Sequence, residues 1–130
     1  MPDPASAMIL GFAYLAVKHT AGDFFLQTPY QYENKGIYGH PGGLLHALIH
    51  AGLTLPVLLI LAPASAGLAL AIPAAEFAAH YHIDWVKERI VKGWGLTADH
   101  SWYWRVLGVD QLLHGLTYVG IVAVLAGVLP

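Results

Sequence analysis

The sequence predicts an all-α fold: a polytopic membrane four-helix bundle, with residues 1–130 forming a single integral membrane domain and a polar, metal-suited interior near the cytoplasmic side. Three observations lead there. Of 130 residues, 57% are hydrophobic and 11% charged, where an ordinary soluble domain carries about 25% charged residues; the mean hydropathy is +0.57. Apolar runs recur four times, each long enough at 1.5 Å per helical residue to cross a ~30 Å hydrocarbon core. Each run also carries a pair of metal-suited side chains four residues apart: His19 and Asp23, His46 and His50, His80 and Asp84, Asp110 and His114. Residues at that spacing stack on one face of a helix.

The first span is expected over 7–26. Its leading stretch, MPDPASAMIL, lacks a basic segment of the kind that opens a secretory signal, so the helix is expected to be retained. It is apolar to Val17, then carries Lys18, His19 and Asp23, and Pro29 closes it. The connection over 27–43 is rich in Tyr, Gly and Pro. Non-helical backbone cannot face lipid, so this segment is expected at the membrane interface in preference to a lid over the bundle mouth. The second span is expected over 44–61, with a kink at Pro56. The uncharged 62–65 turn makes the next helix an antiparallel neighbour. The third span, 66–90, contains Pro73 and then Glu76, His80 and Asp84 at intervals of four, with Lys87 following. Asp99 or Ser101 is the expected N-cap of the fourth span, 102–129.

Lys18, Lys35, Lys87, Arg89, Lys92 and Arg105 lie in or beside the first and third connections, and the other termini and turn have no basic residue. Positive charge collects on the cytoplasmic side, which predicts a multi-pass protein of the bacterial inner (cytoplasmic) membrane with both termini outside. Tyr30, Tyr32, Tyr38, Trp85, Trp94, Trp102, Tyr103 and Trp104 crowd the same side, as interface anchors do. The pairs fall late in spans one and three and early in spans two and four. Alternating helix direction then brings all of them to one depth, about one to three turns from the boundary.

The absence of cysteine excludes disulfides and thiolate metal sites and leaves His, Asp and Glu as ligands. A carboxylate facing the bilayer centre costs at least ~2.5–3.5 kcal/mol, so the eight pair residues are expected to face inward and share a divalent cation. Eight ligands exceed one tetrahedral ion and suit one or two ions, zinc first and iron or manganese as alternatives. A metal-free His–Asp hydrogen-bond network is the competing expectation, but such bonds contribute under ~1–2 kcal/mol each in membranes. Glu76, one turn deeper than His80, is the candidate general base or an extra ligand, with a buried partner of another helix as the alternative. Gln27 continues the His19–Asp23 face. Gln111 is expected to point about 100° away from Asp110, Lys87 to snorkel, and His40, His82 and His100 to lie outside the site. The formal net charge of −2 offers no basic footprint for nucleic acid.

The strings KHTAGDFFLQ, LLHALIH, HYHIDWVKERI and GVDQLLHGL resemble a family of small bacterial membrane proteins catalogued as domain of unknown function 3307. The resembling positions are His19, Asp23, Phe24, Gln27, Asn34, Lys35, His46, His80, Asp84, Lys87, Asp110, Gln111 and His114. The resemblance implies the architecture and residue set and no reaction. The site is also similar to membrane di-iron hydroxylases, although those use His-x-x-x-His repeats almost exclusively, whereas this chain interleaves Asp. The leading functional expectation is a metal-dependent hydrolase that acts near the lipid–water boundary on a lipid or lipid-linked substrate. Metal-ion or proton transport, haem-based electron transfer through His46 and His114, and a structural or regulatory membrane subunit stapled by metal are the alternatives.

Overall fold

The computed structural model describes residues 3–129. Helix α1 (Pro4–Ala21) starts before the expected boundary because Asp3 caps it, its carboxylate accepting from the amides of Ala5 and Ser6, both at 3.1 Å, with Pro4 opening the first turn. The Ser6 hydroxyl and amide hold the Asp3 carboxyl below its ordinary pKa. The helix then widens into a π-helical turn, Gly22–Leu26, which carries Asp23. Such a wide turn changes the direction in which a side chain leaves the helix, and it is a frequent feature of functional sites.

The connection over 27–43 folds onto the helices. It contains a short helix α2 (Pro29–Tyr32), braced by the Thr28 amide donating to Gln31 Oε1 at 3.1 Å. It is fastened by the Gly39 amide donating to the Tyr81 hydroxyl at 2.6 Å, Lys92 Nζ donating to the Glu33 carbonyl at 2.8 Å, and Tyr38 paired with His82 at 3.1 Å. Its Lys35 side chain is 4% exposed and points inward.

Helix α3 (Pro41–Thr54) begins three residues ahead of the expected span, since Pro41 occupies its first turn and His40 Nδ1 accepts from the Gly42 amide at 3.0 Å. At Pro56 the helix does more than kink: it breaks at Leu55–Pro56 and resumes as α4 (Val57–Ile60). Proline has no amide to donate and its ring clashes with the preceding turn. Helix α5 (Ala66–Gly93) is capped by Ser65 Oγ accepting from Leu68 at 3.1 Å and runs unbroken through Pro73, three residues beyond its expected end. Helix α6 (Ser101–Leu125) is preceded by His100 at the N-cap, in place of Asp99 or Ser101, and ends four residues early. No strand occurs among the described residues.

Helix α3 packs on α5, α5 on α6, α6 on α1, and α1 on α3 and α4. The interior they enclose has two halves. Ala7, Leu15, Val57, Leu61, Ile72, Tyr118, Ile121, Val122 and Leu125 form an apolar core. The other half is lined by His19, Asp23, His46, His50, His80, Asp84, Asp110 and His114, all buried. Along α1 and α5 the apolar residues come before the polar ones, and along α3–α4 and α6 the order is reversed, which places all four pairs in one half of the interior. The exterior has the opposite character: Ile9 is 69% exposed, Phe25 80%, Leu59 88% and Leu70 75%. Two helical stretches, Pro41–Ile60 and Ser101–Leu125, are long and apolar enough to cross a membrane.

Candidate metal centre

The four i,i+4 pairs converge from α1 and its π turn, α3, α5 and α6. Asp23 stands at the centre of the first set: its Oδ1 lies 3.0 Å from His46 Nε2, 3.1 Å from His50 Nε2 and 3.9 Å from His80 Nε2. The His46 and His80 Nε2 atoms are themselves 3.1 Å apart. The helical pairs close as their spacing requires, with His19 Nε2 at 3.2 Å from Asp23 Oδ2 and His80 Nε2 at 3.3 Å from Asp84 Oδ2. Asp84 faces both ways: Oδ2 is also 3.3 Å from His46 Nε2, and Oδ1 is 3.4 Å from His114 Nε2.

Three sets of ligand atoms result, each with its members within 4.8 Å of one another: Asp23, His46, His50 and His80; His19, His80 and His114; and Asp84, Asp110 and His114. These buried clusters can hold a metal ion. A tetrahedral zinc with bonds of ~2.0–2.2 Å keeps its ligands about 3.2–3.6 Å apart, close to the separations around Asp23. Hydrogen bonding leaves the same groups short of partners. His50 Nε2 is buried and, although near Asp23, lacks hydrogen-bond geometry; His50 Nδ1, His80 Nδ1 and Asp110 Oδ1 are likewise buried without partners. Buried polar atoms are normally satisfied, so orphaned atoms on these side chains fit a site that takes a cation.

Charge points the same way. Asp23, Glu76, Asp84 and Asp110 are buried against two buried ammonium groups, Lys18 and Lys35, so with neutral histidines the interior carries an excess of two negative charges. An uncompensated buried charge costs several kcal/mol, and one divalent ion removes the excess.

Glycine makes the close approach possible. A Cβ on Gly22 would sit 2.4 Å from two atoms of the His50 ring, so the π turn can lie against that imidazole only while position 22 has no side chain.

Several residues outside the eight pair positions take part. Gln111, expected to point away, turns its amide into the site: Oε1 is 3.2 Å from His19 Nε2, and Nε2 donates to Asp110 Oδ2 at 3.0 Å. A long flexible side chain spans the 100° offset that excludes a short one. The Tyr118 hydroxyl pairs with His19 Nδ1 at 2.9 Å, from one turn beyond His114 on the same face. Lys35 Nζ lies 2.9 Å from Asp84 Oδ2; in the sequence it counted only as a boundary charge and as one of the family-like positions. Lys18, counted among the boundary charges, is buried and paired with Glu76, donates to the His50 carbonyl at 3.1 Å, and lies 4.8 Å over the Tyr118 ring. Glu76 belongs to none of the three ligand sets; its carboxylate accepts from Lys18 and from the Thr54 hydroxyl, one turn deeper. Gln27 Oε1 is buried without a partner, and Lys87 pairs with Glu88 at 2.7 Å. His40, His82 and His100 stay outside, His40 and His100 at N-caps and His82 on Tyr38.

Fold and site together define a class: an all-helical protein with an apolar exterior and a buried histidine–carboxylate centre. The family model described as "Protein of unknown function (DUF3307)" matches residues 11–129. The chain belongs to that family. No curated protein and no solved structure matches it.

Proposed function

We propose that this chain is a polytopic four-helix membrane protein of the bacterial inner membrane, with both termini outside, and that it is a metal-dependent hydrolase working near the cytoplasmic lipid–water boundary. The observation that carries this reading is the meeting of ligand atoms from Asp23, His46, His50 and His80 within 4.8 Å of one another, among buried imidazole and carboxylate atoms that lack hydrogen-bond partners. Asp23, His46, His50 and His80 hold the ion first; His19, Asp84, Asp110 and His114 surround it. Zinc suits this donor set best, with iron and manganese as the other fits. Such an ion, when bound, makes a water acidic and polarises an ester, amide or phosphoryl oxygen.

The chain's own groups supply the rest. Gln111 and Tyr118 fix the orientation of the His19 ring, as outer partners of ligand histidines do. Glu76, a carboxylate outside the histidine sets, serves as base only by giving up Lys18 or Thr54, which hold its two oxygens. Transport fits less well, because beyond Thr54 and Glu76 the interior is closed by Leu15, Val57, Ile72, Ile121 and Val122.

Elemental analysis of the detergent-purified protein tests the reading. Wild type is expected to hold stoichiometric divalent metal, and His46→Ala to lose it. Wild-type protein free of metal and insensitive to chelators would overturn the metal centre. Metal-loaded wild type that releases neither fatty acid nor phosphate from phospholipid vesicles, while His46→Ala loses thermal stability with its ion, would favour the structural-staple alternative over hydrolysis.

A further inference from the structure

Asp84 stands between two sets of ligand atoms, with Oδ2 toward His46 and His80 and Oδ1 toward His114. That is the disposition of a carboxylate bridging two ions. On the far side, Asp84, Asp110 and His114 bring three ligand atoms within 4.8 Å of one another. Asp110, 4% exposed, aims Oδ1 into this set with no hydrogen-bond partner; His114 Nε2 is 3.6 Å from it, beyond hydrogen-bond reach. A cation already lies on the other oxygen of the shared carboxylate, the one that faces His46 and His80. Lys35 Nζ lies 2.9 Å from Asp84 Oδ2, and Lys35 comes from the α2–α3 connection, not from the helices that supply the ligands.

We propose that Asp84, Asp110 and His114 form a second divalent-cation site, joined to the first through Asp84, and that the Lys35 ammonium holds it closed, so that a second ion enters as Lys35 leaves Asp84. The inference rests on the metal-centre reading above and sets its ion number and its regulation. With neutral histidines, one ion beside Asp23 already balances the four buried carboxylates and two ammonium groups. A second ion on the carboxylate that holds Lys35 meets like-charge repulsion in a poorly solvated setting, where Coulomb energies are several times those in water. The α2–α3 connection thereby acts as a lid that exchanges one cation for another. Its fastenings lie in α5, at Tyr81, His82 and Lys92, the helix that also carries Asp84.

Titration of the detergent-purified full chain with zinc alone, by calorimetry and elemental analysis, tests this. Wild type is expected to bind one tight ion. Lys35→Met, which keeps length and removes charge, is expected to bind two, with the second at least about tenfold tighter than any second ion in wild type. Lys35→Arg is expected to behave as wild type, and Lys35→Met/Asp110→Ala to return to one ion. Retention of the first ion reports an intact fold in each variant. Two tight ions in wild type, one ion in Lys35→Met, a gained ion that survives Asp110→Ala, or loss of both ions in Lys35→Met would each overturn the exchange. A wild type and variants that all lack zinc would instead remove the metal reading itself, and this inference with it.

Discussion

Glu76 and Lys18 form a buried pair of opposite charges, 1% and 3% exposed at their side chains. Desolvating two charges is expensive, and their attraction offsets the cost only where other polar groups complete the shell. Here Thr54, the His50 carbonyl and the Tyr118 ring do so. Removing one partner strands the other. Glu76→Gln or Lys18→Met alone is therefore expected to destabilise the folded protein by about 3–5 kcal/mol. The double variant Lys18→Met/Glu76→Leu is expected to recover most of that loss. Reversible denaturation in detergent, analysed as a double-mutant cycle, measures the coupling; additive single effects would show that the two charges act independently. The inward direction of Lys18 was legible in the sequence. Ala7, Gly11, Leu15 and Lys18 recur at helical spacing and are the buried stripe of α1, so reading Lys18 as a boundary charge weighed its type over its register.

Helix pairs at i,i+4 were readable from spacing alone because an α-helix turns by a fixed angle per residue. All four pairs do meet, from α1, α3, α5 and α6. What spacing does not encode is where that angle changes. The π turn at Gly22–Leu26 changes it at Asp23, and nothing in GDFFL announces a wider turn. The end of α3 was half legible: Pro56 marked a disturbance, but whether a helix bends or breaks there depends on packing around Leu55. The α2–α3 connection was the largest miss, since loop composition says nothing about which of its lysines finds a buried carboxylate. The π turn also yields a sharp expectation. Gly22→Ala puts a methyl group 2.4 Å from the His50 ring, so either the turn or the imidazole must shift. Zinc affinity is expected to fall at least about tenfold, the order of loss seen when support around a metal ligand is disturbed. Gly52→Ala, where an added Cβ meets nothing within 4 Å, is the control expected to bind as wild type. Equal affinity in the two variants would show that the Gly22–His50 contact does not govern the site.

The molecule is apolar outside and charged within, the reverse of a soluble domain. Soluble monomers seldom expose contiguous apolar patches beyond a few hundred Å², yet Ile9, Leu59, Leu70 and Phe25 all lie open. Length and composition mark only Pro41–Ile60 and Ser101–Leu125 as able to span a membrane. The polar residues of the other two long helices, α1 and α5, include His19, Lys18, Glu76, His80 and Asp84, and all five are buried in the interior. These side chains lower the hydropathy of α1 and α5 although none of them faces outward. In the membrane reading proposed above, α1 and α5 are the other two spans. Orientation then depends on fewer charges than a simple count gives, because Lys18 and Lys35 are buried on Glu76 and Asp84 and Lys87 is paired with Glu88. Arg89, Lys92 and Arg105 remain, all flanking the α5–α6 connection, while the 61–65 turn carries no charge. On that proposed topology the positive-inside tendency predicts the α5–α6 connection in the cytoplasm and the 61–65 turn outside. Because the chain has no cysteine, single replacements report without background. Ala64→Cys is expected to react with a membrane-impermeant maleimide in intact cells. Ala98→Cys, in the α5–α6 connection, is expected to react only after the inner membrane is permeabilised. Labelling of both from one side would contradict four spans with this orientation, and the reverse pattern would turn the metal centre toward the periplasmic face.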